Sequence, residues 1–292
     1  MRKSMRDFPS YFADAEASFD DAEFVVFGAP YDQTCSFRFG TRYAPNEIRN
    51  AAWNIETYNI RTGLDIKNSK IHDMGDLDIS AKSPTEAVEE VRKAAEKIIS
   101  AGKFPIMFGG EHSMTPGVIA GFGKNAKGIF VISIDAHIDY RLEYDDERNN
   151  HACAMRRCSE FVGPKNIAVL GIRSGCLEEM EDAKRDSLFY RDSYWIWENG
   201  IEKAIAEAVK RAGKRKIYFT LDIDGIDPAY APGTGTPEAF GLHDYDVLKV
   251  IDAIAPRLVG FDIMEVCPPY DNGNTSMLAA KIVREVISKV KG

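Results

Sequence analysis

The sequence predicts a three-layer α/β/α fold with a mainly parallel central sheet. Six apolar β-type runs, "EFVVFGAP", "FPIMFGG", "GIFVISIDAH", "NIAVLGIR", "KIYFTLDID" and "LVGFDIMEV", are separated mostly by helical patterns, the alternation expected of strands covered on both faces by helices. With 45% hydrophobic residues, a chain of 292 residues can fill one large core. No fixed-period repeat or low-complexity linker divides it, so 1–292 reads as a single domain.

The elements follow in order. The first segment, "MRKSMRDFPSYFADAEASFDD", turns polar and acidic where an export signal would need an apolar stretch. No apolar run approaches the roughly 20 residues that span a bilayer, so the expectation is a cytoplasmic enzyme with no membrane partner. The non-periodic segments Pro30 to Pro45 and Tyr140 to Asn150 read as site-forming loops rather than domain boundaries. The helix "SPTEAVEEVRKAAEKIISAG" carries Ser83 as N-cap, Pro84 at its first position, Glu86 completing a capping box and Gly102 as its stop. Further helices are expected over "NGIEKAIAEAVKRAG", stopped by Gly213, over "HDYDVLKVIDAIA", closed by Pro256, and over "TSMLAAKIVREVISKV". His72 and His243 fit loop and helix-start positions, and Asp227, before Pro228, fits a turn.

Bulk charge narrows the partners. With 37 basic and 45 acidic residues the formal charge is −8, which argues against a nucleic-acid binder and suits small cationic ligands. The five cysteines are odd in number and show no paired metal-knuckle spacing, so reduced thiols are expected, with Cys153 and Cys158 as bystanders.

In an open parallel sheet, ligands gather beyond the carboxyl ends of the strands. Four such ends are polar here: His112 after a Gly-Gly pair, Asp135, His137 and Asp139 in "SIDAHIDYR", Asp222 and Asp224 in "TLDIDGIDP", and Glu265. Residues two apart on a strand share a face, so both D-x-D-type patterns are expected to present their side chains together. Any one of these residues has an ordinary reading as a cap or a hydrogen-bonded loop residue. Four carboxylates and two imidazoles in one crevice need cations, and the charge of the four aspartates balances two divalent ions, leaving Glu265 over. An oxygen-rich set with two imidazoles and no thiolate favours Mn²⁺ over structural zinc and is also compatible with Fe²⁺, Co²⁺ or Zn²⁺. A water activated between two ions suits hydrolysis of a poorly electrophilic carbon.

These motifs, "FGGEHS", "SIDAHIDYR" and "TLDIDGIDPAYAPGTGTP", resemble the ureohydrolases, the arginase and agmatinase family of binuclear manganese enzymes, and the match runs in order from "FGAPYDQTCSFRFGTRYAPNEIR" through "GFDIMEVCPPYD". The resemblance implies an arginase-like fold and two Mn²⁺ per subunit: His112 and Asp139 on one ion, His137 and Asp224 on the other, Asp135 and Asp222 bridging. It implies His151 as proton shuttle, with Asp139 as first proton carrier, and Glu265 as the carboxylate that pairs with a substrate guanidinium. It also implies a homo-oligomer, trimer or hexamer.

The loop "DYRLEYDDERNNHACAMRR" resembles agmatinases more than arginases, and Ser174 stands where arginases place an acid for the α-amine. Agmatine, cleaved to putrescine and urea, is therefore the favoured substrate. Arg141 and Arg148 point the other way, toward a carboxylate-bearing substrate, which keeps arginase and guanidinobutyrase activity as alternatives. A single-zinc deacetylase of related fold and a non-catalytic member are the rivals from other classes, disfavoured by His112 and by the presence of His151 and Glu265. The chain departs from the family pattern at Ile138, Phe240, Cys267 and Pro269. Ile138 is expected in packing; Phe240 and Cys267 are expected near the substrate mouth, as is the acidic loop 143–147, whose charges are mostly solvated.

Overall fold

Every apolar run marked in the sequence forms a strand in the computed structural model, which describes residues 10–292. In chain order the elements are β1 (Phe24–Ala29), α1 (Ala44–Ala52), β2 (Ile71–Asp76), α2 (Pro84–Ser100), β3 (Phe104–Gly109), α3 (Thr115–Gly121), β4 (Ile129–Ile134), α4 (Ala154–Val162), β5 (Ile167–Ile172), α5 (Leu177–Asp186), β6 (Phe189–Asp192), α6 (Ser193–Asn199), α7 (Ile201–Ala212), β7 (Lys216–Asp222), α8 (Asp244–Ile254), β8 (Leu258–Met264) and α9 (Asn274–Lys291). The strands form one sheet in the order β2-β1-β3-β8-β7-β4-β5-β6. All seven pairings are parallel.

Two apolar layers lie on the two faces. Phe24 and Val26 of β1 join one cluster with α1, α7, α8 and α9. Val25 and Phe27 of the same strand join the other, with α2, α3, α4 and α5. The period-two alternation of the strand thus feeds both layers. In α2 the capping box forms as its sequence predicts: Ser83 N donates to Glu86 Oε2 at 3.0 Å, and Glu86 N donates to Ser83 Oγ at 3.4 Å.

The strands without an apolar signature, β2 ("IHDMGD") and β6 ("FYRD"), are the two edges of the sheet and are only partly buried. An edge strand meets solvent and carries polar residues accordingly. His72 therefore lies in a strand, not a loop, with Nδ1 bonded to Ala17 O at 2.9 Å; His243 is the N-cap of α8 as expected. The helices missed in the sequence are the short ones; α3, "TPGVIAG", is buried nearly all round and has no polar face to read.

The topology makes β3, β8, β7 and β4 consecutive neighbours, so the four polar strand ends emerge side by side at one edge. The loop after β1 crosses this edge at Gly110, where an added Cβ would stand 1.8 Å from Tyr31 O. Glu111 N donates to the same oxygen at 2.8 Å, and Glu265 N donates to Gly110 O at 2.9 Å. One glycine thus lets three site segments touch backbone to backbone. Gly110→Ala is expected to lower stability by about 3 kcal/mol through overpacking, against about 1 kcal/mol for Gly123→Ala, where only a positive φ opposes the change. Urea unfolding of both variants checks this; equal losses would remove the close-approach argument.

Candidate active site

The carboxyl end of β4 does not continue as a strand. β4 stops at Ile134, and Asp135 to Asp139 form a loop in which Asp139 has φ 49°. The side chains therefore converge through a folded loop rather than by strand alternation, and Asp222 and Asp224 likewise straddle the end of β7 and a short 3₁₀ turn. Local bonds set the turns: His137 N donates to Asp135 Oδ1 at 2.6 Å, and Asp224 N to Asp222 Oδ1 at 2.9 Å. A left-handed Asp costs roughly 1–3 kcal/mol, as does Glu265 at φ 60°. Arg156 N holds Asp139 O at 3.1 Å.

The six residues expected as metal ligands meet at one point. His112 Nδ1 lies 3.2 Å from Asp135 Oδ2, 3.1 Å from Asp139 Oδ2 and 3.3 Å from Asp222 Oδ2. His137 Nδ1 lies 3.1 Å from Asp224 Oδ2 and 3.7 Å from Asp135 Oδ1. Two groups that could each hold an ion result, His112 with Asp135 and Asp139, and His137 with Asp135 and Asp224, sharing Asp135. Donors about 2.1 Å from one ion at right angles to each other stand about 3 Å apart, which is the spacing found. Within this cluster, His112 Nδ1 and Asp135 Oδ2 are buried with no hydrogen-bond partner. Unpaired buried polar atoms are costly, and divalent cations between them would remove that cost. The residues present fit such ions.

Surrounding bonds orient these side chains. His112 Nε2 sits 2.9 Å from Thr220 Oγ1, which turns Nδ1 toward the carboxylates. Asp262, fully buried beneath, accepts from Thr115 Oγ1 at 3.0 Å and Tyr218 OH at 2.6 Å. Asp224 accepts from Ala136 N and Thr236 Oγ1, both at 3.0 Å. Arg173 donates to the carbonyls of Gly171, Asp224, Gly225, Glu238 and Ala239, tying the Asp224 turn to the loop that carries Thr236.

The electrostatics follow from the crowding. Burial raises Asp139 to about 7, reinforced by Asp135, and burial with Asp224 and Asp135 holds Asp222 well above the usual carboxylate range. Burial also opposes ionisation of Asp224, but His137 and the Ala136 N–H outweigh it and its pKa falls. For His112, burial disfavours the cation, yet Asp135, Asp139 and Asp222 win and its pKa stands well above normal. A metal binding among these groups would therefore displace protons.

Glu265 is buried beside this cluster, with Oε1 accepting from His112 N at 2.7 Å. Burial, then the neighbouring Glu111, push its pKa well up. His151 opens a 3₁₀ turn capped by Asn150; burial and then His137 lower its pKa to about 4, leaving a neutral imidazole at pH 7. His151, Asp139 and Glu265 line one cavity with His137, Asp222 and Asp224.

The structure sorts the remaining expectations. Both non-periodic loops reach this cavity, through Ser36, Arg141 and Tyr144. Arg148 does not: it is exposed and pairs with Glu160 at 3.0 Å. Glu143, Asp145 and Asp146 are exposed. Phe240 lies apart from the cavity, in a second, aromatic pocket with Trp197 and Tyr230, and Cys267 is buried with its thiol toward Phe39 O at 3.5 Å. Ile138 packs in the core. Burial raises the Cys153 thiol to about 12, and Cys158 is buried outright. Thr34, Glu111, Thr220 and Thr236 were not singled out in the sequence, although each lies inside one of the motifs that carry the resemblance.

Residues 22–288 match the model of the arginase family. The chain is 34% identical to an agmatinase of Bacillus anthracis, covering 94% of both chains. It is 32% identical to a guanidinobutyrase of Pseudomonas aeruginosa over 99% of this chain and 92% of that one. The crystal structure of an agmatine ureohydrolase of Thermoplasma volcanium superposes with a TM-score of 0.92 at 40% identity, covering 98% of this chain and 96% of that one. With the sheet, the ligand cluster and these likenesses in agreement, the chain belongs to the arginase family and is a ureohydrolase, a hydrolase acting on guanidino groups.

Proposed function

We propose that this chain hydrolyses agmatine to urea and putrescine with two divalent ions, Mn²⁺ favoured, held by His112, Asp135, His137, Asp139, Asp222 and Asp224. The observation that carries the reading is the contact among these six side chains, four of which, His137, Asp139, Asp222 and Asp224, line one cavity with a further acidic group, Glu265. When bound, two such ions supply Lewis acidity and bring the ionisation of a water near neutral pH. The chain's own residues do the rest. Glu265 has one oxygen fixed by His112 N and the other available to a guanidinium, whose planar N–H groups match a carboxylate. Its raised pKa without a partner favours taking up a cation.

Cleavage of the C–N bond requires a proton on the leaving amine. On this reading Asp139 receives a proton from the attacking water, and the neutral His151 ring, which lines the same cavity, delivers one from solvent. The balance is agmatine plus water giving putrescine plus urea.

Agmatine is favoured over acidic guanidino compounds because Arg141, the cation at the cavity, is already engaged. Its Nε lies 3.8 Å from Glu179 Oε1, and its guanidinium sits 4.8 Å over the Tyr144 ring. Ser174 lines the cavity where an acid would serve an α-amine. Guanidinobutyrate is the second reading, supported by the same Arg141 if its pairing with Glu179 opens.

Urea release by the Mn²⁺-loaded protein from agmatine, arginine and guanidinobutyrate at equal concentration tests the proposal. Agmatine is expected to dominate and chelation to abolish the signal; a dominant acidic substrate would transfer the assignment to Arg141. Glu265→Gln is expected to retain metal and lose about 100-fold in kcat/KM; retention of full kcat/KM would remove its guanidinium role. Because Asp139 holds a proton up to about pH 7 and must release it to a metal, affinity is expected to rise with pH through that value. Below it the loss is about tenfold per unit for each displaced proton. Calorimetric titration with Mn²⁺ at several pH values checks the slope, and a flat profile would exclude Asp139 as a titrating ligand.

A further inference from the structure

Glu111 directly precedes a ligand but is not one itself, and its oxygens are taken by the loop that follows β1. Oε2 accepts from Thr34 N at 2.7 Å, with Cys35 Sγ also 3.8 Å away; Oε1 accepts from Thr34 Oγ1 at 2.6 Å and Ser113 Oγ at 2.5 Å. Its side chain is wholly buried. Thr34 Oγ1 is in turn 3.0 Å from His151 N and 3.3 Å from His151 Nδ1. His151 Nε2 lies on the other side of the ring, 3.4 Å from Ser36 Oγ, and the ring stands edge-on to Tyr144.

A threonine hydroxyl has one proton and two lone pairs. Here the proton goes to Glu111, and one lone pair receives the His151 backbone N–H. The remaining lone pair faces Nδ1, which must then carry the ring proton. The geometry points to Glu111 and Thr34 as positioning residues that fix His151 in its Nδ1–H form, so that Nε2 presents its lone pair on the face away from Thr34. This rests on the proposed role of His151 in moving a proton during urea release. A buried acid acting through a hydroxyl thus orients an imidazole, as outer partners orient metal-bound histidines.

The polarity of the chain makes a sharp test. In Glu111→Gln, the amide oxygen must face Thr34 N–H, which places the NH₂ against Thr34 Oγ1 and Ser113 Oγ. Both lone pairs of Thr34 are then occupied by donors, its proton turns to His151 Nδ1, and the ring must switch to Nε2–H. The experiment is ¹⁵N NMR of the full chain labelled at histidine, loaded with diamagnetic Zn²⁺. The chain has five histidines, and His151 is assigned by its loss in His151→Asn.

Wild type and Thr34→Ser are expected to show Nδ1–H, and Glu111→Gln to show Nε2–H. In the Mn²⁺-loaded protein Glu111→Gln is expected to lose about 10- to 100-fold in kcat with KM held within about twofold. Should Glu111→Gln not fold, Thr34→Val carries the test: Nδ1 loses its acceptor, Nε2–H gains population and kcat falls, while Thr34→Ser restores both. An Nε2–H ring in wild type overturns the inference. So does a variant that loses kcat while keeping Nδ1–H, since Glu111 would then only anchor the loop. If wild type shows Nδ1–H but releases no urea from any guanidino substrate, the proposed reaction fails and the orientation of His151 stands.

Discussion

The cost of burying like charges together governs this molecule. Asp135, Asp139, Asp222, Asp224 and Glu265 are all buried, and no arrangement of neutral neighbours offsets that many carboxylates in a low-dielectric interior. The protein answers in two ways. It holds protons on some members, as the raised pKa values of Asp139, Asp222 and Glu265 express. It also leaves His112 Nδ1 and Asp135 Oδ2 buried without hydrogen bonds, a cost that cations between such atoms would remove.

The rest of the fold serves that convergence. Four neighbouring parallel strands bring their ends together without any long segment having to reach inward, and the layers on both faces keep water from the sheet. Close backbone approach at Gly110 and at Gly225, where an added Cβ would stand 2.6 Å from Asp135 N, sets the spacing between ends. Left-handed backbone at Asp139 and Glu265 is the strain that remains, and it falls on residues assigned to the chemistry.

The interior strands and the long capped helix were legible because burial imposes continuous apolar runs and because capping chemistry is local. The clustering of the candidate ligands was legible because carboxylates and imidazoles crowded at the ends of apolar runs would destabilise a core that had no cation to hold. What hid was set by tertiary context. β2 and β6 carry edge polarity, and α3 is too buried to show a stripe. The presentation of Asp135, His137 and Asp139 depends on a left-handed turn that no alternation rule contains. Thr34 and Glu111 lie 77 positions apart, and a hydroxyl that works by relaying a bond leaves no pattern along the chain. Phe240, an oddity by family comparison, proved to belong to another surface.

Because the candidate ligand positions run from 112 to 224 and follow β3, β4 and β7, which with β8 become neighbours only in the finished sheet, the cluster is incomplete in any fragment that lacks one of these strands. A nascent or partly unfolded molecule can offer a metal isolated carboxylates but not the cluster, so ion capture is coupled to completion of the sheet's centre. An ion held between His112 and Asp222 would also close a loop of more than a hundred residues, a closure whose entropic cost otherwise opposes folding. In that sense a metal held there would act as a checkpoint of assembly, since a chain whose central sheet is incomplete could not present the cluster and would be chemically silent.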